Sequence, residues 1–148
     1  MSLSGLASEG RCLVEGEGSG DALVLSEPLS FWGGLDPATG AIIDRHHPQV
    51  GEMVSGRVLV MPRGRGSSSS SSTLAEAISL GRGPAAILLA EADPIVALGA
   101  LIVRELYGTS SPIVVVAQDA YRRVIPGVRV TVHAPADGPA IVHVADKD

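Results

Sequence analysis

Between Arg57 and Ala117 the chain alternates wholly apolar runs with helix signals, joined by very short connections. Arg57–Met61, Ala85–Ala90 and Pro112–Ala117 carry apolar residues without polar alternation, which a strand tolerates only when both of its faces are covered. Between the first two runs, Leu74–Leu80 reads as a helix closed by Gly81, a residue suited to the left-handed position after a last turn. Between the second and third, Asp93-Pro94 opens a helix with Asp at the N-cap and Pro in the first turn. Its apolar stripe is read as Ile95, Leu98, Ile102 and Leu106, and Gly108 closes it. The order β–α–β–α–β with short links calls for a parallel core with right-handed crossovers.

The flanks differ. Residues 10–17 and Ala22–Leu25 read as an antiparallel pair around a turn at Gly16–Gly20, and Arg129–His133 with Ala140–Val144 as a closing hairpin. His133 and His143 alternate with apolar neighbours, which places them opposite the core. The expected fold is a single α/β domain over residues 1–148, with its core at about 10–144, a parallel βαβαβ centre and flanking antiparallel strands that close a barrel. Aromatic residues make up 3% of the chain, so the core has to be built from Val, Ile, Leu and Ala. A net charge of −5 and the absence of a basic stripe argue against a general nucleic-acid binder. No apolar run reaches membrane-spanning length and the N-terminal residues lack a basic segment followed by an apolar one, so a soluble, cytoplasmic protein is expected. Cys12 is the only cysteine; alone it makes no internal disulfide and holds no iron–sulfur cluster. His46-His47 lacks Cys or His partners at metal-binding spacings and reads as a solvated turn.

The chemistry concentrates after the first apolar run, in Arg63-Gly64-Arg65-Gly66 followed by Ser67–Ser72 and Thr73. A strand end, a glycine turn and hydroxyls at a helix start combine free backbone N–H groups, a favourable dipole and two guanidinium groups. Neither a Walker A motif nor a dinucleotide fingerprint is present. A phosphate cradle, a serine-capped turn, and a serine acting in acid–base chemistry all remain open on the residues alone. The capped turn accounts for one or two serines. An acid–base serine needs backbone N–H groups and positive charge around its oxygen, which this position offers. The only Phe and Trp, Phe31 and Trp32, lie in the glycine-rich stretch Ser30–Gly40, where a pocket wall, a subunit contact or a hydrophobic plug are all open readings.

Gly64-Arg65-Gly66-Ser67-Ser68 after a strand resembles the catalytic loop of the aconitase swivel domain, with Ser69 standing where aconitase has arginine. Ser30–Asp36, Gly64–Ser69, Gly83–Ile87 and Leu98–Ala100 extend the resemblance to the small, swivel-domain subunit of the aconitase X family. The resemblance implies a swivelling β/β/α domain and one subunit of a heteromeric hydro-lyase, inactive alone. It implies Ser67 as the proton-abstracting base, Arg65, Ser68 and Ser69 as binders of substrate oxygens, and Phe31 and Trp32 as walls of a shared cleft; Arg63 is a weaker candidate, and Ser70–Ser72 are assigned to capping. The partner implied is a large subunit whose cysteines carry an iron–sulfur cluster of the 4Fe–4S kind. The activity implied first is dehydration of (R)-5-phosphomevalonate to trans-anhydromevalonate 5-phosphate, in an archaeal mevalonate route to isoprenoids; the second is dehydration of cis-3-hydroxy-L-proline. A free-standing anion-binding or regulatory module is the rival from another class.

Overall fold

The computed structural model describes residues 5–64, 68–109 and 111–146. Its elements are β1 (Leu6–Val14), β2 (Gly16–Val24), a distorted single turn α1 (Phe31–Gly34), β3 (Leu35–Asp36), β4 (Ala41–Ile42), β5 (Val58–Met61), α2 (Ser68–Ser79), β6 (Ala86–Leu89), α3 (Pro94–Tyr107), β7 (Ile113–Val116), α4 (Gln118–Arg122), β8 (Arg129–Ala134) and β9 (Ala140–Val144). The strands close into a barrel in the order β1-β7-β6-β5-β2-β8-β9, and β3 with β4 forms a separate two-stranded sheet. β5, β6 and β7 run parallel, joined through α2 and α3 as the apolar runs required. β8 and β9 form the expected hairpin, with Val132 opposite Val142.

The unbroken apolar runs reflect two cores, one on each face of the parallel strands. Val58, Val60, Ala86, Leu88 and Val114 point into the barrel and meet Val130, Val132 and Val142. Their neighbours Leu59, Met61, Ile87, Leu89 and Ile113 point outward and meet Leu74, Ala77, Val96 and Val103 of the two helices. Side chains alternate across a strand, so each run divides itself between the two cores. Every residue of β5 and β6 is buried as a result.

Three expectations are corrected. First, β1 and β2 do not pair with each other: β1 lies between β7 and β9, and β2 between β5 and β8. Gly16–Gly20 belongs to β2 rather than to a turn. A Cβ at Gly18 would stand 2.1 Å from the Ala85 carbonyl oxygen, and one at Gly20 2.4 Å from that of Gly56, so these glycines mark close backbone approaches. Second, the face that α3 buries is Val96, Gly99, Ala100 and Val103. Leu98, Ile102 and Leu106 are 46%, 40% and 67% exposed. Small residues win the inner face because α3 lies directly on α2. Third, His47 and, in part, His143 depart from the solvent-facing reading, while His46 and His133 keep to it. His46 is exposed, but His47 is buried. Its Nδ1 accepts from the Gln49 N–H at 3.0 Å and its Nε2 lies 3.2 Å from the Glu27 carbonyl oxygen, which assigns the proton to Nε2. His133 is exposed beside Glu17, whereas His143 is partly covered between Ala7 of β1 and Thr131 of β8.

His47→Ala leaves the Gln49 N–H and the Glu27 carbonyl without their partner. A loss of about 1–3 kcal/mol in unfolding free energy is expected, read from the denaturant midpoint. Among the described residues no helix is long and apolar enough to cross a membrane.

Candidate active site

β5 ends at Met61, and the chain leaving it is tied at once to neighbouring segments. The Pro62 carbonyl accepts from the N–H groups of Ala90 and Glu91, at 3.1 and 3.0 Å, just after β6. Gly64 bridges to Leu29, and its N–H donates to Asp93 Oδ2 at 2.9 Å. The other oxygen of Asp93 caps α3, accepting from Ile95 N at 3.0 Å and Val96 N at 3.2 Å. Arg65 and Ser67 lie outside the described residues, as does the side chain of Ser68.

α2 begins at Ser68, six residues before the helix start expected from the apolar pattern at Leu74. Ser68–Ser72 are therefore helical, and the capping assignment for Ser70–Ser72 is corrected. Ser70 and Ser71 are buried within the first turns. Ser70 Oγ accepts from the Trp32 N–H at 3.4 Å and lies 3.3 Å from Ser30 Oγ. Ser71 Oγ donates to the Ile95 carbonyl at 2.7 Å. These two hydroxyls join α2 to α1 on one side and to α3 on the other. Ser69 and Ser72 are exposed, and with Thr73, Glu76 and Trp32 they line an open groove of about 310 Å³.

The two aromatic residues separate. Trp32 is 65% exposed and borders the groove. Phe31 is completely buried among the residues packed beneath the helices, so it is a core plug and not a cleft wall. The irregular turn of α1 sends consecutive side chains in opposite directions, with non-helical backbone at Trp32 and Gly33. Arg63 is exposed and pairs with Glu91 at 3.5 Å, directed along the surface.

The residues of this chain do not fit an iron–sulfur cluster. Among the described residues no three metal-binding side chains converge. Cys12 sits in β1, half-buried, and burial pushes its thiol up while the nearby Arg104 opposes that shift. A cysteine that holds a cluster does so as its thiolate.

The swivel-domain profile of aconitase X matches residues 7–141. The chain belongs to the aconitase X swivel family. A crystal structure of aconitase X from Thermococcus kodakaraensis in its holo form superposes with a TM-score of 0.82 at 32% identity, covering 96% of this chain and all of that one. Cis-3-hydroxy-L-proline dehydratase of Pseudomonas aeruginosa is 54% identical over 103 residues, which is 70% of this chain but only 18% of that enzyme. The phosphomevalonate dehydratase small subunit of Methanothermobacter thermautotrophicus is 44% identical over 92 residues, 62% of this chain and 70% of that subunit. The aconitase X swivel chain thus spans about a fifth of the length of the hydroxyproline dehydratases it matches.

Proposed function

We propose that this chain is the swivel subunit of a heteromeric hydro-lyase that dehydrates a small hydroxy acid, with cis-3-hydroxy-L-proline as the substrate and Ser67 as the base. The observation that carries the reading is the 54% identity to the Pseudomonas enzyme named for that reaction. Dehydration of (R)-5-phosphomevalonate is the second reading. It is favoured by the 44% identity to a small subunit matched over 70% of its own length.

In this reading Ser67, immediately before α2 in sequence, takes the proton from the carbon beside the carboxylate, the C–H electron pair becomes the double bond, and hydroxide leaves the neighbouring carbon; the proton that Ser67 then gives up completes the water released. A serine hydroxyl is a poor base unless negative charge on its oxygen is favoured. The positive end of the α2 dipole and the Arg65 guanidinium supply that preference. Arg65, Ser68 and Ser69 bind substrate oxygens, and Trp32 forms the wall first assigned to both aromatics. The iron–sulfur cluster belongs to the large subunit, and this chain's part is confined to proton removal and orientation.

The test is anaerobic co-expression with a candidate large subunit, followed by assay of both substrates. Hydroxyproline is expected to exceed phosphomevalonate at least about tenfold in kcat/KM, a ratio that a few well-placed polar contacts achieve. The reverse ratio moves the assignment to phosphomevalonate. A chain that neither joins a large subunit nor supports turnover is instead an anion-binding or regulatory module.

A further inference from the structure

The three residues 65–67 are bracketed by two sets of anchors. On the α2 side, Ser70 and Ser71 bind α1 and α3. On the β5 side, the Gly64 N–H is held by Asp93 Oδ2, while Asp93 Oδ1 holds the first turn of α3. One carboxylate therefore serves two segments that are 29 residues apart in sequence. A carboxylate accepts at both oxygens, whereas an amide accepts at only one, so the side chain type is not interchangeable here. An N-cap needs only one acceptor, and Asn caps as well as Asp. Helix capping by itself does not require the second oxygen of Asp93.

We propose that Asp93 is a positioning residue, which fixes Gly64, the point in the chain from which the Ser67 segment starts, by binding its N–H while it caps α3. The proposal rests on the dehydratase reading. It adds a residue far from the loop in sequence to the groups on which turnover depends. Asp93 acts through the backbone of Gly64.

Asp93→Asn separates the two jobs. The amide oxygen keeps the cap, and the NH₂ group then faces the Gly64 N–H, donor against donor. In the assembled enzyme the melting temperature is expected to stay close to that of the wild type. A displacement of about 1 Å in a reacting group costs on the order of a hundredfold, so kcat is expected to fall by about that factor with KM changed much less. Amide exchange at Gly64, followed by NMR on the isolated chain, is expected to speed up at least about tenfold, as for an N–H that loses a protecting bond. Asp93→Ala removes the cap as well and lowers both melting temperature and kcat. Wild-type kcat in Asp93→Asn overturns the proposal. Unchanged exchange at Gly64 does so too, because the tie is then not what the carboxylate provides. Absence of turnover in the wild-type complex counts against the dehydratase reading instead, and Gly64 exchange still decides whether Asp93 holds the loop.

Discussion

Ser67→Ala in the co-expressed complex is expected to lower kcat by about a hundred- to ten-thousand-fold, the range for removing a positioned general base. Assembly should be unchanged, and stability should fall by no more than about 1 kcal/mol, the cost of losing one serine oxygen just before a helix. The comparison that gives this result its force lies within the same run of serines. Ser72 is exposed on α2, so Ser72→Ala should leave kcat within a few-fold. Ser71→Ala should behave differently again, as its hydroxyl is bonded to the Ile95 carbonyl at 2.7 Å. Loss of that bond is expected to lower stability by about 1 kcal/mol, with turnover following from the altered seating of α2. The measurements are steady-state kinetics and thermal unfolding of each complex. Near-normal turnover in Ser67→Ala would sink the assignment of the base.

Gly99→Ala tests the packing that puts the serine helix in place, and two physical effects predict opposite signs for it. Helix propensity alone favours alanine over glycine by about 1 kcal/mol in a helix interior. The contact argues the other way. A Cβ at Gly99 would lie 2.6 Å from the Ser71 carbonyl oxygen and 3.2 Å from the Ser71 Cα. Both are backbone atoms, so no rotamer change can relieve the overlap, and one helix has to move away from the other. Overpacking of this kind costs about 1–3 kcal/mol. Net destabilisation is therefore expected for Gly99→Ala, and a larger loss for Gly99→Val, both read from denaturant midpoints. A stabilised Gly99→Ala variant would show that α2 and α3 are not held in contact at Ser71. Since Ser71 lies four residues after Ser67, the same shift should reduce turnover in the complex.

How much of this was legible in the sequence depends on what each residue is asked to do. Val58–Met61, Ala86–Leu89 and Ile113–Val116 were readable as buried strands because a wholly apolar run has few other places to go. Asp93 and Gly108 were readable as helix ends, and the structure shows the Asp93 cap and the left-handed Gly108. The pairing of β1 was not readable. Both of its neighbours come from the far end of the chain, with Cys12 opposite Val114 and Ser8 opposite Val142. The orientation of α3 was misread because large apolar residues were taken for its inner face. The inner face is instead the one with Gly99 and Ala100, where closeness to α2 matters more than hydrophobic bulk.

Within the candidate site, the resemblance pointed to the loop, and the structure reassigned some of its neighbours. Phe31 and Trp32 are adjacent in sequence, and only backbone geometry tells which is buried. Serine is a weak helix former, so six in succession suggested a cap and a turn. Burial of Ser70 and Ser71 with bonds to both flanking segments outweighs that preference. Asp93 had a visible local role in its Asp-Pro signal, and that role concealed the second one. The bond to Gly64 spans 29 residues and leaves no mark on local pattern.

The barrel closes through β1, and Leu6 at its start lies opposite Val144 at the end of β9. Both ends of the barrel thus emerge at a single corner. A longer polypeptide joined on either side would be tethered at that corner, like a door hung on one post. The barrel and its helix layer could then turn as a unit about the attachment with every strand pairing intact. Movement between the serine loop and whatever faces it would be concentrated in a few residues outside the barrel.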